Sequence, residues 1–182
     1  MKKMILALTI LTLLFSVSFA QTNVDVSATV ENAALTIGTP TDVGFGIVAK
    51  SATQVLSPRT GTAHSVGIGT PVVGEVSITG EAGASFEISF PTAAISLSNG
   101  TSTMAFTADV VGNNTGVQTA SGAGDDLAAS TTHTVTLSGT LGSGLTGDFD
   151  IWIGGSLVVG PTQGAGSYDA SAAPLAFTIE YP

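Results

Sequence analysis

Apolar and polar residues alternate with a period of two along most of this chain, which limits the folds open to it more than any other feature. The alternating runs lie at residues 24–31, 76–79, 85–90, 104–110, 134–138, 148–153 and 175–181. This period is typical of strands that bury one face. Stretches rich in Gly, Pro and Asn separate the runs, and no long segment has a helical period; residues 121–130 could hold at most a turn or two. The chain is therefore predicted to be all-β, an antiparallel β-sandwich with Greek-key connections, with a small barrel as the alternative.

The first 20 residues have the pattern of a secretory signal peptide. Lys2 and Lys3 precede an apolar run over residues 4–15, and Ser18 and Ala20 are the small residues a signal peptidase requires. The run is too short for a convincing membrane anchor. We therefore expect cleavage after Ala20 and export to the periplasm, cell surface or medium. Residues 21–182 would form a single β-sandwich domain that is not inserted in a membrane, with residues 21–37 as a candidate donor strand.

Composition excludes several partners for the exported chain. There is no cysteine, so no disulfide framework can form. Once the signal is removed, Lys50 and Arg59 are the remaining strong bases, against 13 Asp and Glu residues. Nucleic acid and anionic membrane surfaces both require clustered Lys and Arg, so neither is an expected partner.

Catalytic motifs are not convincing in this sequence. Residues 142–147 match the string G-x-G-x-x-G, but they run into an alternating segment, whereas dinucleotide binding requires a helix to begin there. His64 and His133 have no cysteine nucleophile, no G-x-S-x-G elbow and no zinc-ligand spacing. The sequence therefore predicts a protein that is not an enzyme and holds no cofactor.

Two carboxylate pairs are weak candidates for a calcium site. Asp125 and Asp126 lie in a Gly-rich stretch, and Asp148 and Asp150 would share one strand face. Calcium takes six or more oxygen ligands, and no complete binding-loop motif is present. Two solvated acidic patches are the simpler interpretation.

The terminal strands give the stronger functional signal. Val24, Val26, Ala28 and Val30 form a clean apolar stripe near the expected new N-terminus. Residues 175–181 form a second such strand at the other end of the chain. Either strand can pair within its own sheet, or leave it and complete the sheet of a neighbouring molecule. Head-to-tail exchange of this kind does not close on itself and builds a filament. These four residues are the candidate interaction anchors.

Three segments resemble the bacterial secreted family known as domain of unknown function 4402. They are residues 43–49 (VGFGIVA), residues 77–91 (SITGEAGASFEISFP), and the tail formed by residues 153–159, 166–168 and 177–181. The layout is more distantly similar to chaperone–usher pilins and spore-coat-like proteins, and Tyr181 matches their penultimate tyrosine. The resemblance implies an immunoglobulin- or pilin-like sandwich and adds Tyr181 to the candidate interaction residues.

Taken together, these features predict a non-enzymatic structural protein of the cell surface, a fimbria-like subunit that assembles by strand addition. Its expected partners are other copies of itself or an assembly chaperone. The alternative is a monomeric extracellular module that binds a glycan or calcium. An outer-membrane β-barrel is less favoured, because the chain has few aromatic residues for the interfacial girdles.

Overall fold

The computed structural model describes residues 33–61, 64–65, 67–120 and 125–182, which form two antiparallel sheets and, within those ranges, no helix. The nine strands are β1 (Thr36–Ile37), β2 (Ala52–Leu56), β3 (Gly74–Glu81), β4 (Ser85–Ser89), β5 (Ala94–Ser98), β6 (Thr103–Asn113), β7 (His133–Thr136), β8 (Thr146–Val159) and β9 (Thr178–Glu180). The prediction of an all-β, sandwich-like fold is confirmed. Within the described ranges, no helix has the length and apolar character needed to cross a bilayer.

The larger sheet has six strands and is organised around β8. Its order is β1-β3-β8-β6-β5, and β2 pairs with the second half of β8 beyond the end of β3. Ile78 lies opposite Phe149, and Val110 lies opposite Ile153. Because residues opposite one another share a face, these side chains form one continuous apolar surface.

The smaller sheet has the order β7-β4-β9 and covers part of that apolar surface. Phe86 of β4 meets Phe149 of β8 edge to face, with ring centroids 5.6 Å apart. Phe86, Ile78, Ile88 and Ile151 have no measurable exposure. The main core therefore lies between the two sheets and is filled by the alternating residues.

A second core lies on the same face of the larger sheet, toward β5 and the end of β8. Its buried members are Ile95, Met104, Phe106, Leu157 and Val159. Irregular segments over residues 43–48 and 168–175 cover it in place of strands, and Phe45 packs edge to face on Phe106 at 5.7 Å. One face of one sheet is thus covered partly by strands and partly by loops.

Most alternating runs form strands, but the last one is shorter than its pattern suggests. The alternation from Leu175 to Tyr181 extends over seven residues, whereas β9 comprises Thr178–Glu180. Leu175 packs against both cores as part of the irregular cover. Residues 142–145 form a turn that leads into β8, as the sequence predicted, and not into a helix.

Candidate interaction groove

An apolar groove of about 660 Å³ opens on the core-facing side of the larger sheet, where the strand cover gives way to loops. Val76, Ile153 and Phe106 contribute to its lining from the sheet. One wall is formed by residues 37–45, and the other by residues 168–179. The groove therefore lies between an edge of the larger sheet and an edge of the smaller one.

The wall formed by residues 37–45 is attached to β3 through its backbone. The Gly38 N–H donates to the Ser77 carbonyl at 2.8 Å, and the Thr41 N–H donates to the Glu75 carbonyl at 2.9 Å. Ile37 is 53% exposed although it belongs to this ladder. An apolar side chain on a fixed backbone is thus left facing the groove without full cover.

The opposite wall combines a loop with β9. The loop is attached to β5, because the Ser98 N–H donates to the Asp169 carbonyl at 2.8 Å. The Asp169 carboxylate accepts bonds from the hydroxyl and the N–H of Ser171, and these bonds lower its pKa below the usual 3.8. This end of the wall therefore carries a carboxylate at neutral pH.

The backbone of β9 offers an open edge beside the groove. Among the described strands, β9 pairs with β4 alone, so one of its sides carries no ladder. Phe177 and Ile179 line the groove from this segment. An added strand could therefore extend the smaller sheet while directing alternate side chains into the groove.

Tyr181 lies just beyond β9 and ties the two walls together. Its hydroxyl donates to the Ala33 carbonyl at 2.6 Å. Its side chain also packs against the main core, as does Leu35. The structure thus gives this sequence-predicted residue a position at one end of the groove, within its own chain.

The candidate calcium ligands do not converge on one point. Within the described ranges, no three His, Asp or Glu side chains are close enough to hold a metal ion. Asp126 pairs with Arg59, and Asp125 accepts a bond from the Thr119 hydroxyl at 2.8 Å. Asp148 and Asp150 belong to β8, opposite Thr79 and Ser77 of β3.

The two histidines and the single arginine make local structural contacts. His64 accepts the Ser57 N–H at 3.0 Å, and His133 accepts the Ala128 N–H at 2.8 Å. Arg59 also bonds Asp109 of β6 at 3.0 Å, so it connects its loop to the larger sheet. These contacts stabilise loops.

The four candidate anchors Val24, Val26, Ala28 and Val30 lie outside the described residues. Sequence reasoning did not find the groove. Its lining comes from segments far apart in the chain, and β2 and β5 were not predicted. Residues 21–37 were predicted as a candidate donor strand, and the last two of them, Thr36 and Ile37, pair with β3 of their own chain. No local pattern in the sequence marks these segments as the walls of one groove.

Comparison with known proteins adds no relative: no protein-family model, curated protein or solved structure matches this chain.

Proposed function

We propose that this protein is a non-enzymatic, exported structural subunit that assembles into fibres by strand addition. The groove of one copy accepts residues 24–30 of another copy. The observation that carries the proposal is the apolar groove beside the open edge of β9. The second copy supplies what such a site requires, a short segment with an apolar residue at every other position.

The chemistry of the groove complements that of the donor segment. A seven-residue strand spans about 23 Å, at roughly 3.3 Å per residue. Val24, Val26, Ala28 and Val30 would face the groove, and Asp25, Ser27 and Thr29 would face solvent. Lining residues such as Ile37, Phe106 and Ile179 give the groove an apolar surface suited to that stripe.

Side-chain burial alone does not hold such a contact. Burying three valines and one alanine contributes on the order of 5–8 kcal/mol. The loss of translational and rotational freedom on association costs about 4–15 kcal/mol. Backbone bonds to β9 are therefore needed as well, and the strand adds to the sheet instead of merely filling the groove.

The test compares variants of residues 21–182 by negative-stain microscopy and light scattering. Val26→Asn with Val30→Asn places two amides without partners in the groove and removes two apolar anchors. Together these changes cost about 4–6 kcal/mol of association free energy, or about 1000-fold or more in affinity. We expect fibres from the unaltered chain and monomers from this variant.

The matched control is Ser27→Asn with Thr29→Asn, which makes the same side chain on the opposite face of the same segment. It is expected to form fibres normally. In the groove, Ile37→Asn should prevent assembly, while Thr36→Asn on the neighbouring exposed position should not. Fibres that persist in both the Val26/Val30 and Ile37 variants, or monomers from the unaltered chain, would refute strand exchange.

A monomeric binding module is the second candidate, and the groove itself favours it. Its volume of about 660 Å³ lies within the range of small-molecule sites, roughly 300–1,000 Å³. An elongated apolar ligand, or the apolar face of a glycan, could occupy it. A thermal shift on adding such a ligand to a chain that remains monomeric would support this alternative, and a shift on adding calcium would support an ion-binding module.

A further inference from the structure

Alternation by itself does not fix how far a strand slides into the groove. A shift of one residue would turn the apolar stripe to solvent and is strongly disfavoured. A shift of two residues keeps the stripe facing inward: Val26 takes the position of Val24, Ala28 that of Val26, and Val30 that of Ala28. The two registers therefore differ mainly in where the single alanine lies. The proposed exchange therefore needs a further feature that sets the register.

The contact between Tyr181 and Ala33 lies just beyond one end of the groove. Ile37 and Ile179 are lining residues, one on each wall. Leu35 lies two residues before Ile37, and Tyr181 lies two residues after Ile179. Neither Leu35 nor Tyr181 lines the groove. The hydroxyl of Tyr181 bonds the Ala33 carbonyl at 2.6 Å, so the walls are joined just beyond this end.

The bond is held in place by close packing over Gly80 of β3. A Cβ atom on Gly80 would lie 2.9 Å from the Tyr181 hydroxyl oxygen and 3.0 Å from Leu35 Cδ2. Gly80 lies two residues beyond Ile78, which pairs with Ile37. The tyrosine, the leucine and the strand beneath them therefore form a solid end wall.

We propose that Tyr181 is a positioning residue that sets the register of the incoming strand by ending the groove. The inference rests on the proposed function, because it concerns the strand that the groove accepts. The incoming strand stops where its leading residue meets the tyrosine and the segment that the tyrosine holds. Without the hydroxyl bond, the two walls can separate at this end, and the strand can advance by two residues.

The experiment measures the register directly in fibres. The chain has no cysteine, so single introduced cysteines can be spin-labelled selectively. Copies carrying Ser27→Cys on the donor segment are mixed with copies carrying Thr36→Cys beside the groove, and both are diluted with unlabelled protein. Pulsed electron spin resonance then gives the distribution of distances between the two labels.

The unaltered chain should give one narrow distance. Tyr181→Phe keeps the ring that packs on the core and removes the hydroxyl. It should give a second population in which the donor strand is displaced by about 7 Å along the groove, the length of two residues. Leu35→Ala removes apolar atoms from the same end wall and leaves the Tyr181 hydroxyl in place. It should give the same second population, and it tests the proposal if the Tyr181 variant does not fold.

Thr60→Val is the matched control, because it also removes one hydroxyl that donates to a backbone carbonyl. The Thr60 hydroxyl donates to the Gln118 carbonyl at 2.8 Å, and Thr60 does not line the groove. This variant should keep the single distance. A single unchanged distance in the Tyr181 and Leu35 variants would overturn the register role and leave strand exchange intact. Loss of fibres by a folded Tyr181→Phe protein would also overturn the register role, because a shift of register alone does not prevent assembly. Absence of fibres from the unaltered chain would overturn the proposed function itself.

Discussion

Replacing Gly155 by alanine should strongly destabilise the sandwich, because the residue combines a positive φ with a close backbone contact. Gly155 lies in β8 where that strand pairs with β2 on one side and β6 on the other. Its φ is +145°, and a Cβ there would lie 2.2 Å from the Thr107 carbonyl oxygen. The methyl group would thus meet backbone that is itself held in the ladder.

The magnitude follows from two separate costs. A non-glycine residue in such a sparsely populated backbone conformation costs about 1–3 kcal/mol. Relieving the contact with Thr107 requires a backbone shift that weakens two or so ladder bonds, each contributing about 1 kcal/mol. We therefore expect Gly155→Ala to lower the free energy of unfolding by about 3–5 kcal/mol, a large part of the 5–15 kcal/mol typical of a domain.

Gly142→Ala separates the two costs. Gly142 also has a positive φ, +77°, but a Cβ there would meet nothing within 4 Å. Gly142→Ala should lower the free energy of unfolding by about 1 kcal/mol, from backbone strain alone. Urea denaturation followed by circular dichroism measures both variants, and equal losses would show that the close approach of β6 to β8 is not what requires glycine at position 155.

Two further predictions concern the surface. The Arg59 side chain is 18% exposed, and the two carboxylates that it pairs with are 47% and 62% exposed. Arg59→Ala should therefore lower the free energy of unfolding by about 1 kcal/mol at low salt and by less at high salt. Denaturation at two ionic strengths measures this difference. Two hydrogen bonds from Ser171, one from its hydroxyl and one from its backbone N–H, lower the pKa of Asp169. Ser171→Ala removes the hydroxyl bond, so the pKa of Asp169 in an NMR titration should rise toward 3.8. Since the folded-state pKa of Asp169 lies below its unfolded value, its contribution to stability is present above about pH 3.8 and is lost as the pH falls through the folded value. An unchanged Asp169 titration in Ser171→Ala would contradict the assigned cause.

The sequence predicted the strands whose two faces differ most. Around Phe86, Phe106 and Phe149, large apolar residues alternate with polar ones, and each run became a strand of the sandwich. The period survives where one face of a strand is buried and the other is more exposed, as along β4, the first part of β6 and both ends of β8. Residues 110–113 of β6 and 151–155 of β8 are buried on both faces.

The shorter strands were not predictable in the same way. In β5, Ile95 and Leu97 alternate with serine over five residues, and β1 has two residues. Runs this short do not distinguish a strand from a loop by pattern. They are strands because β6 and β3 offer them partners, and that pairing is a property of the assembled sheet.

The alternating residues by themselves determined the all-β class and the side of each strand that is buried, because burying one face requires a period of two. Only the tertiary structure decided that the smaller sheet leaves part of the apolar face to loops, and that Ile37 and Ile179 line one groove beside the bond between Tyr181 and Ala33. The local alternation of apolar and polar residues predicts which face of a strand must be covered. Which segment covers it depends on contacts between residues as far apart as 33 and 181, and these form only when the whole sandwich packs.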